Sequence, residues 1–559
     1  MKYHISIFFV LFAILIHAQQ KPLKVQKPKL NLKTNDLIER VPNKYDGNPL
    51  ISGNVSFEYN GDLIYCDSAV YYQNLNKAVV WSNVRLVSKD KTITAKKMEY
   101  DANTTIAKAW DNVKFNDAAS AVTADFMEYN RTSEIAHALG NVVVRSPGNN
   151  IDTNEIFYNR KSGDVTVPGN YKTIDADGTL VEGKDVIYNL PSKSANFKSE
   201  VYITSKDYLI YSRKMTTNDR TGLTTFRDYS KVTSRKDPTQ FVITNDGDFN
   251  KKTGEAWLRK FSTVHYQGKT LTARDMYMNQ KTGYGKATDS VFLNDPEQKM
   301  FIRGDFAEAF RNKDSVYFTK NAYAVRAFEN DKDSLYIHAD TLMAVRHHDA
   351  DSTQLIRAYR NARFYKSNIN GKADSISFNR TKGELEFHRD PIMFSGENQI
   401  TGRFIKVYLN SKTEKIDSIN ILDKAFAISK VDSLKENEFN QIKGKDMTAI
   451  FYNNEIDFLR VVGNAVALSY MDDEDEKTKV KERYGIDITY CGIIEADVVG
   501  KAMELVACRV KATGKTYPES QFPEDQRYLP DFRWRYNESL KHWRDIFITD
   551  SPPKLKNTN

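Results

Sequence analysis

Between residues 54 and 171, apolar and polar residues alternate in short runs, and the runs recur every 29 residues. Ile93 and Ala95 lie two apart, as do Val113 and Phe115. A period of two is typical of β-strands with one buried face. Two residue types mark the copies: Asn54, Asn83, Asn112, Asn141 and Asn170, and Tyr71, Tyr100, Tyr129 and Tyr158.

Turn residues separate the alternating runs, as at Asn60-Gly61 and at Lys161 to Asp164. Asn-Gly favours a tight hairpin because both central residues adopt positive φ. A fixed period of this length indicates an array of units that bury their apolar faces against one another. We therefore predict an all-β, solenoid-like array in which each repeat supplies two long antiparallel strands.

The repeats suggest a domain organisation for the whole chain. Regular repeats occupy 47–204, and looser β repeats continue over 205–470. A charged loop is expected at 471–485. The last strands and an aromatic cap follow at 486–548, and a tail at 549–559. Residues 19–46 are basic, contain several prolines and lack periodicity, which predicts a leader or linker.

The first 18 residues are predicted to be a cleavable signal peptide. Lys2 precedes the apolar run from Ile5 to Ile16, which is too short to span a bilayer. Because Ile16-His17-Ala18 is an imperfect cleavage site, an uncut membrane anchor is the alternative. The sequence otherwise predicts a soluble, exported protein.

Composition adds little to this picture. The 559 residues are 40% hydrophobic and include 31 Tyr and 30 Phe, enough for a large core. The net charge of +8 suits an anionic ligand or surface, but ordinary solubility explains it equally well.

Three cysteines argue against a disulfide scaffold. Cys66 occupies a position that is alanine in the next two repeats, which predicts a packing role. Cys491 and Cys508 could pair in an oxidising compartment, although spacing alone does not decide this.

No motif predicts catalysis. The chain has no Gly-rich phosphate loop, no HExxH and no GxSxG. The pair His347-His348 would point apart on a strand, so we expect no metal there. We also expect no cofactor and no nucleic acid as partner.

The repeated form Gly-Asn-Val, Thr-Ala-Asp, Tyr and Ala-x-Ala is clearest from Thr123 to Val142. It resembles the OstA-like repeat of the lipopolysaccharide-transport proteins, the LptA family. The stretch Leu529 to Arg535 is similar to the end of long OstA-like proteins of the Bacteroidetes lineage. The resemblance is strong over 47–204 and weakens beyond 470, and the chain is far longer than a minimal family member.

This resemblance implies an antiparallel β-jellyroll that is V-shaped and holds lipid acyl chains inside. It implies a periplasmic protein that binds lipopolysaccharide and carries it toward the outer membrane for assembly, without enzymatic activity. Partners would be lipopolysaccharide, through its lipid A acyl chains, and other transport components joined by end-strand β-augmentation, with self-association as a further option. Association with membranes through such partners is left open.

One alternating face of the regular repeats would form the apolar trough. Its predicted lipid-binding residues are Val55, Phe57, Ile64, Val84, Leu86, Ile93, Met98, Val113, Phe115, Val122, Met127, Val142 and Val144. The alternative for these residues is a closed core without ligand.

Two other functional classes stay open. An exported structural or adhesive β-solenoid would bind polysaccharide or protein outside the cell. A carbohydrate-active β-helix enzyme is less favoured, because it would need a short parallel period and a catalytic cluster on one face.

Overall fold

The computed structural model describes residues 29–548, except 60, 89–90, 117–120, 147–148, 328–332, 347–353, 411–414, 432–436, 453–454, 475–480 and 500–501. The predicted signal peptide and the His347-His348 pair lie outside the described residues. The chain divides into two compact units, residues 1–267 and 268–559. This division comes later than the change of repeat spacing after residue 204. In the described part, no helix is long and apolar enough to cross a membrane.

The N-terminal unit consists of 22 strands in the described ranges. Their bounds are β1 (Asn31–Thr34), β2 (Leu37–Glu39), β3 (Leu50–Tyr59), β4 (Asp62–Tyr72), β5 (Lys77–Ser88), β6 (Lys91–Asp101), β7 (Ile106–Asn116), β8 (Ala121–Asn130), β9 (Ile135–Ser146), β10 (Asn149–Asn159), β11 (Asp164–Asp175), β12 (Leu180–Asn189), β13 (Ser194–Phe197), β14 (Val201–Thr204), β15 (Tyr208–Ser212), β16 (Met215–Asn218), β17 (Leu223–Phe226), β18 (Ser230–Ser234), β19 (Phe241–Thr244), β20 (Asp246–Asn250), β21 (Glu255–Arg259) and β22 (Ser262–Tyr266). Short 3-10 helices lie at Tyr45–Gly47 and Gln73–Leu75.

The C-terminal unit continues the same kind of strand. Its described strands are β23 (Lys269–Ala273), β24 (Asp275–Asn279), β25 (Tyr284–Asp295), β26 (Met300–Phe310), β27 (Ser315–Thr319), β28 (Tyr323–Ala327), β29 (Ser334–His338), β30 (Thr341–Arg346), β31 (Gln354–Lys366), β32 (Ile369–Asn379), β33 (Glu384–His388), β34 (Ile392–Ser395), β35 (Asn398–Thr401), β36 (Phe404–Leu409), β37 (Ile416–Leu422), β38 (Ala425–Lys430), β39 (Phe439–Gly444), β40 (Asp446–Tyr452), β41 (Glu455–Glu474), β42 (Lys481–Val499), β43 (Ala502–Arg509) and β44 (Thr513–Tyr517). Its 3-10 helices are Arg311–Lys313, Glu519–Gln521, Glu524–Gln526, Tyr536–Glu538 and Trp543–Phe547.

The predicted all-β, antiparallel fold is confirmed. Strands that are consecutive in the chain pair with each other through the regular repeats, from β3 and β4 to β11 and β12, and every pair is antiparallel. No α-helix occurs in the described residues. The 29-residue period therefore corresponds to one pair of strands.

Every second long strand of the regular repeats (β3, β5, β7 and β9) is bent near its middle by two consecutive residues of positive φ. In β7 these are Asp111 (φ 64°) and Asn112 (φ 57°), and the pairing with β8 shifts register between Trp110 and Val113. The equivalents in β5 are Ser82 and Asn83. We call the half of β7 at residues 106–110, and its paired neighbours, arm A. Residues 113–116 and their neighbours form arm B.

The repeated asparagine has a structural role at this corner. Asn tolerates positive φ better than most residues. Its side-chain amide also donates to an aspartate 16 residues earlier, on the preceding strand. These hydrogen bonds join Asn83 to Asp67 (2.6 Å), Asn141 to Asp125 (2.9 Å) and, in the C-terminal unit, Asn321 to Asp305 (2.9 Å).

The corner recurs where the sequence signature is weak. Consecutive positive-φ pairs occur at Lys260-Phe261 in the N-terminal unit and, in the C-terminal unit, at Asp289-Ser290, Lys320-Asn321, Arg360-Asn361, Arg389-Asp390, Asp423-Lys424 and Gly463-Asn464. Bent strands therefore continue after the regular repeats end.

The two arms bury their facing sides in a shared core. On arm B, Val113 and Phe115 are buried, whereas Lys114 between them is exposed. On arm A, Ala109 and Met127 are buried in the same cluster. The alternation of the sequence thus separates an inner face from an outer face on both arms.

The cysteines lie in two different settings. Cys491 and Cys508 form a disulfide bond between β42 and β43. Cys66 is buried in the core of the N-terminal unit, in keeping with its predicted packing role.

Residues after Tyr517 extend beyond the last strand pair, where we predicted an aromatic cap. Phe532 lies against Phe426 of β38, and Phe547 lies against Tyr323 of β28. This segment therefore covers many strands of the C-terminal unit.

The corner predicts different effects for two glycine substitutions. Gly140 (φ +78°) and Gly169 (φ +85°) both precede a repeated asparagine. A Cβ at Gly140 would lie 2.5 Å from Oδ2 of Asp125, whereas one at Gly169 would meet no atom within 4 Å. Both Gly→Ala changes should cost about 1 kcal/mol through positive φ. Gly140→Ala should cost roughly 1–3 kcal/mol more through the clash.

Urea unfolding of the two variants measures this difference in the free energy of unfolding. Equal losses would contradict the role assigned to Asp125.

Burial raises the pKa of the Cys66 thiol to about 12. Because the thiolate is the reactive form, iodoacetamide at pH 8 should leave the native, non-reduced protein unmodified. In urea without reductant, one thiol per chain should react, as mass spectrometry can count. Three reactive thiols would contradict the disulfide, and rapid native alkylation would contradict the burial of Cys66.

Candidate functional site: an apolar cleft between the arms

An apolar cleft opens between the two arms in the regular repeats of the N-terminal unit. Its volume is about 50 Å³, and strands β5 to β10 contribute to it. Its lining residues are Leu86, Ile93, Met98, Ala107, Lys108, Ala109, Met127, Glu128, Tyr129, Ala136, His137, Ala138, Ile156 and Tyr158. Leu86 and Ile93 belong to arm B, and the others to arm A.

Two rows of cross-strand neighbours build the arm A wall, and each row alternates large and small side chains. The row nearer the corner runs across five strands as Met98, Ala109, Met127, Ala138 and Ile156. The outer row runs as Tyr100, Ala107, Tyr129, Ala136 and Tyr158. Because alanine leaves the space that a larger residue would fill, the cleft lies in front of the alanines.

The alternation has a direct origin in the repeat. Odd-numbered strands of this region place alanines inward at Ala107, Ala109, Ala136 and Ala138. In β11 the equivalent positions are Val165 and Val167, both buried. The alanine pairs of β7 and β9 are therefore what leaves room between the arms.

Two of the lining side chains are methionines, which can change conformation easily. Met98 and Met127 lie in the row nearer the corner and line the cleft. Unbranched, polarisable methionine side chains fit irregular apolar ligands and can change rotamer at low cost. The volume in this structure is much smaller than the roughly 300–1,000 Å³ of typical ligand pockets, so a ligand requires these side chains or the arms to move apart.

The predicted trough residues divide into two groups. Leu86, Ile93, Met98 and Met127 line the cleft. The other nine are buried in the core cluster, each at most 3% exposed: Val55, Phe57, Ile64, Val84, Val113, Phe115, Val122, Val142 and Val144. All thirteen thus lie on the inner face or in its core, and their contact with lipid stays a prediction.

Sequence reasoning missed the alanine and tyrosine members of the lining. Ala107, Ala136, Tyr129 and Tyr158 were visible as markers of the repeat. Their role in the cleft could have been recognised from size, since a repeated small residue on an inward face leaves a gap unless its neighbours fill it.

The outer row gives the cleft a polar edge. Burial raises the pKa of the Tyr100, Tyr129 and Tyr158 phenols, so they are neutral at physiological pH. Arg131 and Arg160 follow directly after the ends of β8 and β10. The Arg131 guanidinium lies 5.9 Å from the ring centre of Tyr59, and Arg160 lies 3.9 Å from Glu134.

The opposite face of arm A is solvated and charged. Lys108 lies between Glu99 and Glu128 in the cross-strand register, and its ammonium is 3.3 Å from the Glu128 carboxylate. Opposite charges on neighbouring strands stabilise such a face modestly. The apolar side of arm A therefore faces arm B.

The chemistry of the cleft is that of its apolar lining and its polar edge. Among the residues that the structure describes, no group of three or more His, Cys, Asp or Glu side chains could hold a metal ion. The cleft offers apolar contact, and phenol hydroxyls and two guanidinium groups lie at its edge.

A family model described as OstA-like protein matches residues 27–139, which include β1 to β8 and part of β9. The repeats within residues 27–139 are thus similar to the OstA-like family. The cleft lies largely within this matched segment, and the OstA-like repeat is the unit whose corners and alternating rows were described above. No curated protein sequence matches the chain.

Solved structures similar to the chain include LptH from Pseudomonas aeruginosa, the LptA-homologous periplasmic component of a lipopolysaccharide transport device. The two are 11% identical, with a TM-score of 0.16, and the match covers 31% of this chain and 94% of LptH. The fold described here rests on its own strand pairing.

Proposed function

We propose that the chain binds lipopolysaccharide and carries it across the periplasm toward the outer membrane. The observation that supports this most is the cleft of the OstA-like repeats, which is apolar inside and edged by tyrosines and arginines. Acyl chains would lie between the arms, and the phosphorylated sugar would lie at the edge. Four of the predicted trough residues, Leu86, Ile93, Met98 and Met127, line the same space.

The energetics favour such a ligand. Each methylene removed from water contributes about 0.8 kcal/mol, so several methylenes per acyl chain give useful affinity. Guanidinium groups are suited to phosphate, because they offer paired donors in a planar arrangement. Arg131 and Arg160 provide this chemistry next to Tyr129 and Tyr158.

Movement along the chain follows from repetition. The outer row of arm A continues beyond the cleft through Val165, Tyr188 and Ala195. Successive sites of similar chemistry allow a lipid to advance by small steps without leaving apolar contact. No covalent step is needed for this function.

Partners would join at the strand edges. At the N-terminal edge, β1 and β2 pair only with β3 among the described strands, and Leu37 and Ile38 are about half exposed. Exposed edge strands favour β-augmentation. We propose that other transport components, or a second copy, add strands there, and that the protein is exported by its N-terminal segment.

An exported solenoid that binds polysaccharide or protein is the second candidate. The observation that favours it is a group of about half-exposed aromatic residues late in the N-terminal unit: Tyr202, Trp257, Phe261 and Tyr266. Exposed aromatic groups of this kind commonly mark binding surfaces.

Filling the cleft should weaken lipid binding. Ala138→Leu adds a branched side chain where the cleft is lined by a methyl group. Displacing two methylenes of an acyl chain should cost about 1.6 kcal/mol, or more than tenfold in affinity. Equilibrium binding of purified lipopolysaccharide to the full chain measures this.

The matched control is Ala121→Leu on the same strand pair, because Ala121 lies on the outer side of arm B, in register with Asn116 and Arg145. Its affinity should be unchanged. If both variants bind like the parent while folded, the acyl chains do not occupy the cleft.

The arginine edge predicts a dependence on phosphate. Arg131→Ala with Arg160→Ala should weaken binding of phosphorylated lipid A roughly two- to fivefold, since partly exposed charge pairs contribute up to about 1 kcal/mol. Binding of dephosphorylated lipid A should not change. Calorimetric titration with the two lipids measures the difference.

Arg145→Ala serves as the control, because Arg145 pairs with Asp152 on arm B, away from the edge. A loss with the dephosphorylated lipid as large as with the phosphorylated one would contradict phosphate recognition by Arg131 and Arg160.

A further inference from the structure

The last described residues, 518–548, form a segment that we call the strap. The strap contains four 3-10 helices and no strand. It crosses the strands of the C-terminal unit in reverse chain order. Listed from the start of the strap, its aromatic contacts are Phe522 with Tyr517, Phe532 with Phe439, Tyr536 with Phe394, Trp543 with Tyr336, and Phe547 with Tyr323.

Three amide side chains hold the backbone of the strap. Gln441 donates to the carbonyl of Arg527 (2.7 Å) and accepts from the N–H of Leu529 (2.9 Å). Gln399 repeats this arrangement six residues later along the strap: it donates to the carbonyl of Arg533 (2.8 Å) and accepts from the N–H of Arg535 (2.7 Å).

Asn370 completes the series. It accepts from the N–H of Leu540 (2.8 Å) and from the hydroxyl of Ser539 (3.4 Å). Gln399 and Gln441 are 1% and 2% exposed. The strap therefore shields these two amides from water, and its backbone supplies their hydrogen-bond partners. An amide that uses both donor and acceptor on one peptide backbone recognises an extended chain independently of its side chains.

The three amides are aligned by the sheet. Cross-strand register joins Asn370 to Phe394, Phe394 to Gln399, Gln399 to Ile428, and Ile428 to Gln441. In the C-terminal unit we use arm B for the half-strands that follow a corner, such as β38 after Asp423-Lys424. The residues above form one row on it, on the side away from the inner face of alanines such as Ala425 and Ala427. In this unit the outer side of arm B also carries large apolar residues, such as Phe394 and Ile428, beside the amides. The strap covers this outer side.

The strap has a matching six-residue register. Large apolar residues recur at Phe522, Tyr528, Trp534, Leu540 and Ile546. Phe522, Leu540 and Ile546 are buried, and the Trp534 ring lies 5.0 Å from the ring of Phe439. Tyr528 is 40% exposed, and its neighbour Leu529 is buried in its place. Gln441 and Gln399 bind the backbone of the residues on either side of Tyr528 and Trp534, and Asn370 binds the N–H of Leu540 itself.

Charged contacts fix the same register. The Lys443 ammonium donates to the carbonyl of Pro530 (2.6 Å) and pairs with Asp531 (3.2 Å). The Glu538 carboxylate bridges Lys372 (2.5 Å) and Arg535 (2.7 Å). The strap is thus held by hydrogen bonds and ion pairs from side chains of the face and not by a strand ladder.

We propose that this outer face of arm B, from β28 to β39, is a peptide-binding site whose resident ligand is the strap. It accepts an extended polypeptide segment whose aromatic side chains pack on the face, as those of Phe532, Tyr536 and Trp543 do. The amide row binds the backbone, and the aromatic residues of the face receive the apolar side chains. This site is separate from the proposed lipid cleft and does not depend on it.

The test uses the full chain with a protease site inserted after Ser520, an exposed residue. After cleavage, the strap should stay bound, as size-exclusion chromatography under native conditions can show. A fluorescent synthetic peptide of residues 521–548 should then replace it, giving a rise in fluorescence anisotropy. Circular dichroism at each stage reports whether the unit stays folded.

Two variants test the role of the amides, and a second peptide tests the role of the apolar side chains. Gln399→Met with Gln441→Met keeps side-chain size but removes the hydrogen bonds, and should speed strap release at least about tenfold. Gln73→Met, at an exposed position of the N-terminal unit, should leave release unchanged. A peptide with Phe532, Trp534 and Leu540 replaced by Ser should compete poorly, because these side chains pack against the face.

Three results would overturn the proposal. One is a cut strap that never exchanges while the chain stays folded. Another is unfolding of the chain when the strap leaves, which would make the strap part of the core. The third is equal competition by the serine-substituted peptide.

Discussion

The structure depends on one local constraint, the two-residue corner of positive φ that bends every second long strand of the regular repeats. Without it, a 12-residue strand such as β9 would lie in one sheet with a single apolar face. With it, the two halves of the same strand form arms whose apolar faces can meet. The asparagine side chain makes the corner specific, because its amide bonds to an aspartate on the preceding strand, as Asn141 does to Asp125.

Once the arms face each other, side-chain size decides what lies between them. Phe57 and Phe115 are fully buried in the core between the arms. Where Ala107, Ala109, Ala136 and Ala138 replace larger residues, a cleft remains. The same rows that make the cleft apolar also place tyrosine hydroxyls and arginines at its edge. An amphipathic ligand with acyl chains and phosphates matches both features.

The strand pairing and the buried side of each strand could be predicted from the sequence. The 29-residue period and the period-two alternation specify paired antiparallel strands and the buried side of each, so Val113 and Phe115 were placed correctly inside. The cleft could not be located in this way. Free space depends on which residues of the two arms meet across the corner, such as Leu86 and Met98, and sequence spacing within one strand does not contain that information.

The strap was underestimated for a related reason. The stretch from Phe522 to Ile546 has neither the helical nor the strand period, and the sequence predicted only an aromatic cap there. The site that binds this stretch can be recognised only from strand register, which aligns Gln399 and Gln441, forty-two residues apart, on one row. The outer face of arm B also changes along the chain, from Lys114 in the regular repeats to Phe426 under the strap.

The most direct test of the central claim is photo-crosslinking in cells that produce lipopolysaccharide. A photoreactive residue at Met127 points into the cleft, whereas one at Lys114 lies on the outer face of arm B. The account predicts lipopolysaccharide adducts at Met127 and none at Lys114. A folded, exported protein that gives no adduct at Met127, or equal adducts at both positions, would contradict it.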